Sequence, residues 1–489
     1  MGGKAQTSRN EIKRSETWLV ATALFHCFAS AGVYNRSHQC LIGSLGRCGT
    51  RQQGGFQAFG ELMLPIDETG SILPGFFRHG GRSPRRPHFL LSGARPAQSA
   101  TMVSAMTHRT RREFLATASA TLAAFAAPRT LGAAGLPPPQ IPRVRVLVGS
   151  HTNNGILFYD WDPTTADLTP SGKNSSVSNV AWLAFSHGHD FLFSASELDT
   201  FNGKPTGEVA SFRLAKDGTL QQLSARNSAG TGTCHVAADA TGQMLLAADY
   251  TGASAASFRI QDGQLSEAVW TEHYAAHGPN VDRQQIAHAH FASFSPDNRF
   301  AYINNLGDDS IHIYKPNPAT AEMSPAGIYR GAPGSGPRTL HFHPNGRIAY
   351  CLNELVSTVD VLDWHKADGS LTLVDRIALL PADYKGPTRG CDTVIARDGR
   401  FVYFANRDDD FLYAFRADFA TGKLAPIKRS NCGGKSPRNF TLDPTERWML
   451  VANQESNLNS LFGRDPKTGE LAGEGKSVAA ETPMRILFV

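Results

Sequence analysis

The sequence predicts an all-β fold, a seven-bladed β-propeller with four-stranded antiparallel blades and a ring closed by the C-terminal strand. Three observations predict it. A short apolar run ending in a small polar residue recurs seven times at intervals of about fifty residues. Each run belongs to a set of short runs set off by Gly, Asn, Asp and Pro turns. The chain then ends on an apolar run that has no unit of its own.

Aligned on the second strand of each blade, the copies begin "VRVLVGSHT" at Val144, "DFLFSASEL" at Asp190, "QMLLAADYT" at Gln243 and "RFAYINNLG" at Arg299. They continue with "RIAYCLNEL" at Arg347, "RFVYFANRD" at Arg400 and "RWMLVANQE" at Arg447. A third run follows most of them, as in "SIHIYKP", "TVDVLDW" and "FLYAFRAD". Glycine turns such as "ADGSLTL", "ATGKLAP" and "KTGELAG" then lead into the fourth. A strand and turn precede each copy, as in "FASFSPDN", "TLHFHPNG" and "FTLDPTER". The first copy lacks that innermost strand, and the terminal "TPMRILFV" is such a strand without a unit. Pairing the two completes the seventh blade and leaves no open edge. A solenoid would need capping repeats at both ends.

The first 134 of the 489 residues read differently. They hold 16 Lys and Arg against 6 Asp and Glu, whereas residues 135–489 hold 32 against 37. The net +5 is therefore a leader of +10 on a body of −5, and no nucleic-acid surface is expected on the body. Arg111 and Arg112 precede the mildly apolar stretch 114–127 and small residues at Ala133 and Ala134. That run is too short for a bilayer span and suits a cleavable twin-arginine signal. The expected divisions are 1–101 as an upstream extension foreign to the fold, 102–134 as the signal, and 135–489 as the propeller. Export by the twin-arginine translocation machinery would make the mature chain periplasmic or secreted, without stable membrane insertion. Its four cysteines, Cys234, Cys351, Cys391 and Cys432, lack metal-type spacing, leaving buried thiols or a single disulfide.

In a propeller the first strand of each blade lines the channel, and its start shares a face with the end of the second strand. Two rings can then be read around one channel mouth. The first holds Ala181, Cys234, His290, Arg338, Cys391, Arg438 and Met484. The second follows the turn-formers Ser150, Ser196, Asp249, Asn305, Asn353, Asn406 and Asn453, and holds His151, Glu197, Tyr250, Leu306, Glu354, Arg407 and Gln454. Arg338 and Glu354 stand at the two ends of one hairpin and should meet at the rim. The bland expectation is a structural ion pair, with Asn and Asp serving the turns. Against it, His290, Arg338, Arg407 and Arg438 crowd one mouth, which favours an anionic ligand. His288 and His290 alternate on one strand, but a third metal ligand is not in view, so no metal is expected.

The segments "GTCH" (232–235), "RQQIAHAHFASFSPDNRF" (283–300), "PGSGPRTLHFHPNGRIAYCLNEL" (333–355), "GRFVYFANRD" (399–408) and "SPRNFTLDPTERWMLVANQ" (436–454) resemble the lactonase family of seven-bladed propellers. That family includes propeller-type 6-phosphogluconolactonases and fungal carboxymuconate lactonizing enzymes. By motif match, the resemblance implies a site of His290, Arg338, Glu354 and Arg407. Substrate contacts are expected from His288, Arg438, His235, Asn353 and Asn406. The chain departs from the family pattern at Thr339, at Asn305-Leu306-Gly307 and at Asp408. The resulting "NRDDD" is expected to set three acids near the mouth, against a phosphorylated ligand.

The function expected is hydrolysis of a small-molecule sugar lactone, 6-phosphogluconolactonase-like and without a cofactor. His290 would transfer protons and the arginines would hold the oxyanion. A Gly-x-Ser-x-Gly motif does not occur, which argues against an acyl-enzyme. The alternatives are muconate-type lactonizing activity, a non-catalytic binding propeller, and a calcium-dependent lactonase using Glu197, Glu354, Asn406 or Asp249.

Overall fold

The computed structural model describes residues Val144–Val489. The extension and signal expected at 1–134 lie outside the described residues. Seven antiparallel sheets follow one another along the chain, each a blade of four strands. Blade three splits its outermost position, so Gln264–Leu265 and Trp270–His273 both pair with Ser254–Gln261. Blade one is assembled from both ends of the propeller. Its innermost strand is Pro483–Phe488, paired antiparallel to Val144–Ser150 with Val146 opposite Phe488 and Val148 opposite Ile486. The closure expected from "TPMRILFV" is the one observed.

Period-two alternation on strands buried on both faces fills the space between blades with apolar side chains. Between blades five and six, Tyr350, Leu352, Val359 and Val361 pack against Val402, Phe404 and Phe415. One polar link repeats around part of the ring. The hydroxyls of Tyr302, Tyr350 and Tyr403 donate to the carbonyls of Gly369, Gly422 and Gly469 in the next blade, at 2.8, 2.8 and 2.7 Å. A buried phenol needs such a partner, and the glycine turn brings its carbonyl close. At Gly422, with φ +72°, a Cβ would meet Ile348 Cγ2 at 2.6 Å.

The innermost strands carry a further regularity. Near its start, each strand from blade two to blade seven slips register against its neighbour. The slips skip Ala181, Cys234, His290, Arg338 and Arg438, and in blade six both Cys391 and Asp392. Apart from Asp392 these are residues of the first ring, and the closing strand skips its seventh member, Met484, in the same way. A bulge leaves its residue out of the ladder and re-aims the side chain, and here it does so at one end of the channel.

The turn-formers serve their turns through side-chain hydrogen bonds rather than through their own backbone angles. They end strands, and the positive φ falls four residues later, at Ala253, Asp309, Ser357, Asp410 and Asn457. Asn305 Oδ1 accepts from His288 N and Gly307 N, and Asn406 Oδ1 accepts from Arg389 N and Asp408 N.

Candidate active site

The bulges and the ends of the second strands surround a cavity of about 550 Å³ at the channel mouth. Its walls include His151, Glu197, Tyr250, Arg283, His290, Glu354, Arg407 and Arg438. His290 stands on the blade-four bulge, Arg438 on that of blade seven, and Glu354 and Arg407 follow the second strands of blades five and six. Three members of the first ring (Cys234, His290 and Arg438) and five of the second (His151, Glu197, Tyr250, Glu354 and Arg407) therefore converge on one cavity.

Glu354 organises the mouth. Its Oε2 accepts from Arg338 Nε at 2.8 Å. Its Oε1 accepts from Arg283 Nη2 at 2.7 Å and lies 3.0 Å from Arg407 Nη2. Burial pushes this carboxyl up, but Arg407, Arg338 and Arg283 together outweigh burial and hold it well below the usual carboxylate range. Burial draws the Arg407 guanidinium down to about 10, opposed by Glu354, and it remains a cation at neutral pH. Across the mouth, Arg438 Nη2 lies 3.5 Å from Glu197 Oε1, and His151 Nε2 lies 3.2 Å from Glu197 Oε2.

His290 is buried, its carbonyl taking the Cys234 thiol at 3.3 Å. Burial, and after it the Arg338 charge, push the imidazole well below its usual range despite Glu354. It is therefore a neutral base at neutral pH, not the half-titrated imidazole that an unperturbed pKa suggests. Three buried nitrogens on the cavity walls make no hydrogen bond: His151 Nε2, which at least faces Glu197 at 3.2 Å, and His290 Nδ1 and Arg407 Nε.

Several expected contacts fall elsewhere. Arg338 is buried and does not line the cavity, because Nε is bound to Glu354 and Nη1 to the Cys391 carbonyl. His288 precedes the strand that carries His290 and does not line the cavity. Its ring stacks on Tyr250, and its Nδ1 lies 2.9 Å from the Tyr250 carbonyl. His235 points away from the mouth, between the rings of Trp182 and Phe291, because the blade-three bulge gives the mouth to Cys234. Asn353 donates to Thr358 and Asp360, and Asn406 serves its own turn, so neither reaches the cavity.

The acids of "NRDDD" are also engaged away from the mouth. Asp408 binds Arg389, Asp409 bonds the Tyr413 hydroxyl and Asp410 accepts from Ser436 N. None of the three lines the cavity and Asp408 is neutralised by its arginine, which weakens the electrostatic objection to an anionic ligand. The four candidate calcium ligands are likewise separately occupied. Asp249 alone accepts from Ser228, Gly230 N, Thr233 and Ser254. Among the described residues no three His, Cys, Asp or Glu side chains gather into a group able to hold a metal ion. Cys234, Cys351, Cys391 and Cys432 are free and buried.

Sequence reasoning assigned no role to Arg283, which reaches Glu354 from the loop entering blade four, outside any repeat position. It donates to the Tyr250 hydroxyl as well, at 3.1 Å. The position of "RQQIAHAH" beside the blade-four motif was its only signal.

The family model described as lactonase, 7-bladed beta-propeller, matches residues 145–488. This chain belongs to the lactonase family of seven-bladed β-propellers. A 6-phosphogluconolactonase of Bacillus subtilis (strain 168) is 30% identical over 347 residues, which is 70% of this chain and 97% of that protein. A 6-phosphogluconolactonase of Formosa agariphila is 30% identical over 345 residues, 67% of this chain and 94% of that protein. Among solved structures, a periplasmic gluconolactonase of Pseudomonas aeruginosa superposes with a TM-score of 0.66 at 30% identity, covering 71% of this chain and 99% of that one. The lactonase-family match accounts for all the described residues except Val144 and Val489.

Proposed function

We propose that this lactonase-family chain hydrolyses a sugar lactone in the mouth cavity, with His290 and Arg407 at the reacting atoms. The observation that carries the proposal is the pair of buried, unpartnered nitrogens, His290 Nδ1 and Arg407 Nε, on one cavity wall set. Buried polar atoms are nearly always paired, and exceptions gather where a ligand binds. Water attacks the lactone carbonyl while the neutral imidazole takes its proton. Arg407 donates to the oxygen that becomes negative. The ring C–O bond then breaks, the proton passes from His290 to the departing ring oxygen, and a hydroxy acid leaves. Arg283 and Arg438 supply cationic walls for an anionic group on the substrate. Glu354 stays ionised and fixes the arginines, so it does not act as a proton donor.

The relatives named 6-phosphogluconolactonase and gluconolactonase support a sugar lactone as substrate class. The test is a panel of phosphorylated, carboxylated and neutral sugar lactones together with muconolactones, read in both reaction directions. Arg407→Ala and His290→Ala are then assayed on the best substrate beside their melting curves. Arg407→Ala should lower turnover about 100- to 1,000-fold. Turnover at the wild-type rate in both variants would refute the assignment, and a panel without any accepted lactone would favour a binding propeller. For the same chain we propose twin-arginine export, carried by Arg111-Arg112 ahead of residues 114–127. Lys at both positions should retain the protein in the cytoplasm, and export of that double variant would overturn this reading.

A further inference from the structure

The channel has a second end, with no lining residue in common with the mouth cavity. Six side chains close a circuit around it. The Trp182 ring lies 4.3 Å from that of His235, and His235 lies 3.9 Å from Phe291. Phe291 lies 5.2 Å from the His341 ring, whose Nε2 is 3.4 Å from Asp392 Oδ1. Arg485 Nη1 is 4.0 Å from Asp392 Oδ2, and the guanidinium sits 4.1 Å above the Trp182 ring, completing the circle. The six come from blades two, three, four, five and six and from the closing strand. Outward of them opens a cavity of about 710 Å³, lined among others by His187, His189, Phe294 and Phe342.

A packed plug would explain the aromatic rings. It does not explain the polar atoms. His235 is almost fully buried, and its Nδ1 accepts from Ala292 N at 3.3 Å, which places the proton on Nε2. That Nε2 has no partner, and neither does the buried Nε of Arg485; His341 Nε2, likewise without a hydrogen bond, at least faces the Asp392 carboxylate at 3.4 Å. Two N–H donors are thus stripped of water among aromatic rings with nothing to bond, a cost that packing alone does not require. The one acid in the circuit is already supplied. Asp392 accepts from Asn439 Nδ2 at 2.6 Å and from Thr393 N at 2.8 Å.

We propose that this end of the channel is a second ligand site, taking a planar aromatic ring that carries a carbonyl or carboxylate oxygen. The ring packs against Trp182, His235 and Phe291, in the offset or edge arrangements that aromatic groups prefer. The oxygen accepts from Arg485 Nε and His235 Nε2. The inference does not depend on lactone hydrolysis at the mouth, since the two sets of residues are disjoint.

Benzoate and benzamide are the probes, titrated calorimetrically into the protein. A ligand of that size is expected to bind with a Kd on the order of 0.1–1 mM. Arg485→Gln should weaken benzoate by about tenfold or more, and Arg438→Gln, at the mouth, should leave it unchanged. Benzoate tighter than benzamide assigns an anionic ligand, and equal binding a neutral carbonyl; either outcome supports the site. Should Arg485→Gln fail to fold, crystals of the unsubstituted protein grown with 4-bromobenzoate decide, through bromine anomalous signal beside Trp182. The proposal is overturned by any of three results. These are no benzoate binding up to about 10 mM, equal binding of the non-planar cyclohexanecarboxylate, or bromine at the mouth alone.

Discussion

Tyr250 and His288 stack with their ring centroids 4.2 Å apart and their planes 11° from parallel, joining the end of a blade-three strand to the chain entering blade four. The same tyrosine meets His290 edge-on at 5.5 Å and accepts from Arg283 at 3.1 Å. One phenol therefore orients a cationic wall and abuts the neutral imidazole. Tyr250→Phe keeps both ring contacts and removes only the hydroxyl. A hydrogen bond to a charged group contributes about 1.5–3 kcal/mol. The expected outcome is a KM raised roughly tenfold with kcat little changed, checked by steady-state kinetics on an accepted lactone.

Glu354→Gln leaves Arg338, Arg283 and Arg407 without their common anion. Removing one partner of a buried ion pair costs about 3–5 kcal/mol, so both melting temperature and turnover should fall. Arg338→Ala should lower the melting temperature by a comparable amount, because Arg338 holds Glu354 and does not line the cavity. Acidification tests the same carboxylate in the unmodified protein. Its folded value lies below the free value of 4.5, so its contribution is complete above 4.5 and is lost as pH falls through the folded value. Urea melts at stepped acidic pH measure that loss.

The pH profile of kcat/KM should be flat at neutrality. His290 acts as a base only when deprotonated, and its value lies well below 6.5, so the acid limb must fall below 6.5. Arg407→Gln deletes one of the charges that depress it, and the limb should move upward while the plateau drops. An acid limb that stays put in this variant would separate His290 from the rate-limiting proton transfer.

Ile486, fully buried in the closing strand, packs with Val146, Val148 and Tyr159. Truncating a buried Ile to Ala costs about 2–5 kcal/mol. That is a large share of the roughly 5–15 kcal/mol that holds a domain. Ile486→Ala should therefore lower the urea midpoint sharply, whereas Val281→Ala, at an exposed position, should not.

The propeller was readable because blade repetition displays the same turn chemistry and alternation seven times. The mouth was readable for a related reason, since equivalent positions in a repeat lie on one circle. What failed were distinctions finer than the repeat. A bulge adds one residue without altering composition, so "GTCH" does not disclose that Cys234 faces the mouth while His235 faces the far end. Arg338 reads like any channel arginine until its Nη1 is found on the Cys391 carbonyl. Arg283 lies in an inter-blade loop, where a repeat offers no alignment. The acids of "NRDDD" could be counted from sequence, but their consumption by Arg389, Tyr413 and Ser436 N depends on contacts with other strands.

The pairing of Val144–Ser150 with Pro483–Phe488 also sets a timetable for synthesis. The first of these strands leaves the ribosome more than 300 residues before the second. At about 5–20 residues per second, that strand waits on the order of tens of seconds for its partner. Throughout that interval its inner edge offers unpaired N–H and C=O groups to any extended chain nearby. The nascent protein is thus most exposed to mispairing at its first blade, and a chaperone that covers this edge would raise yield more than one acting on any other blade.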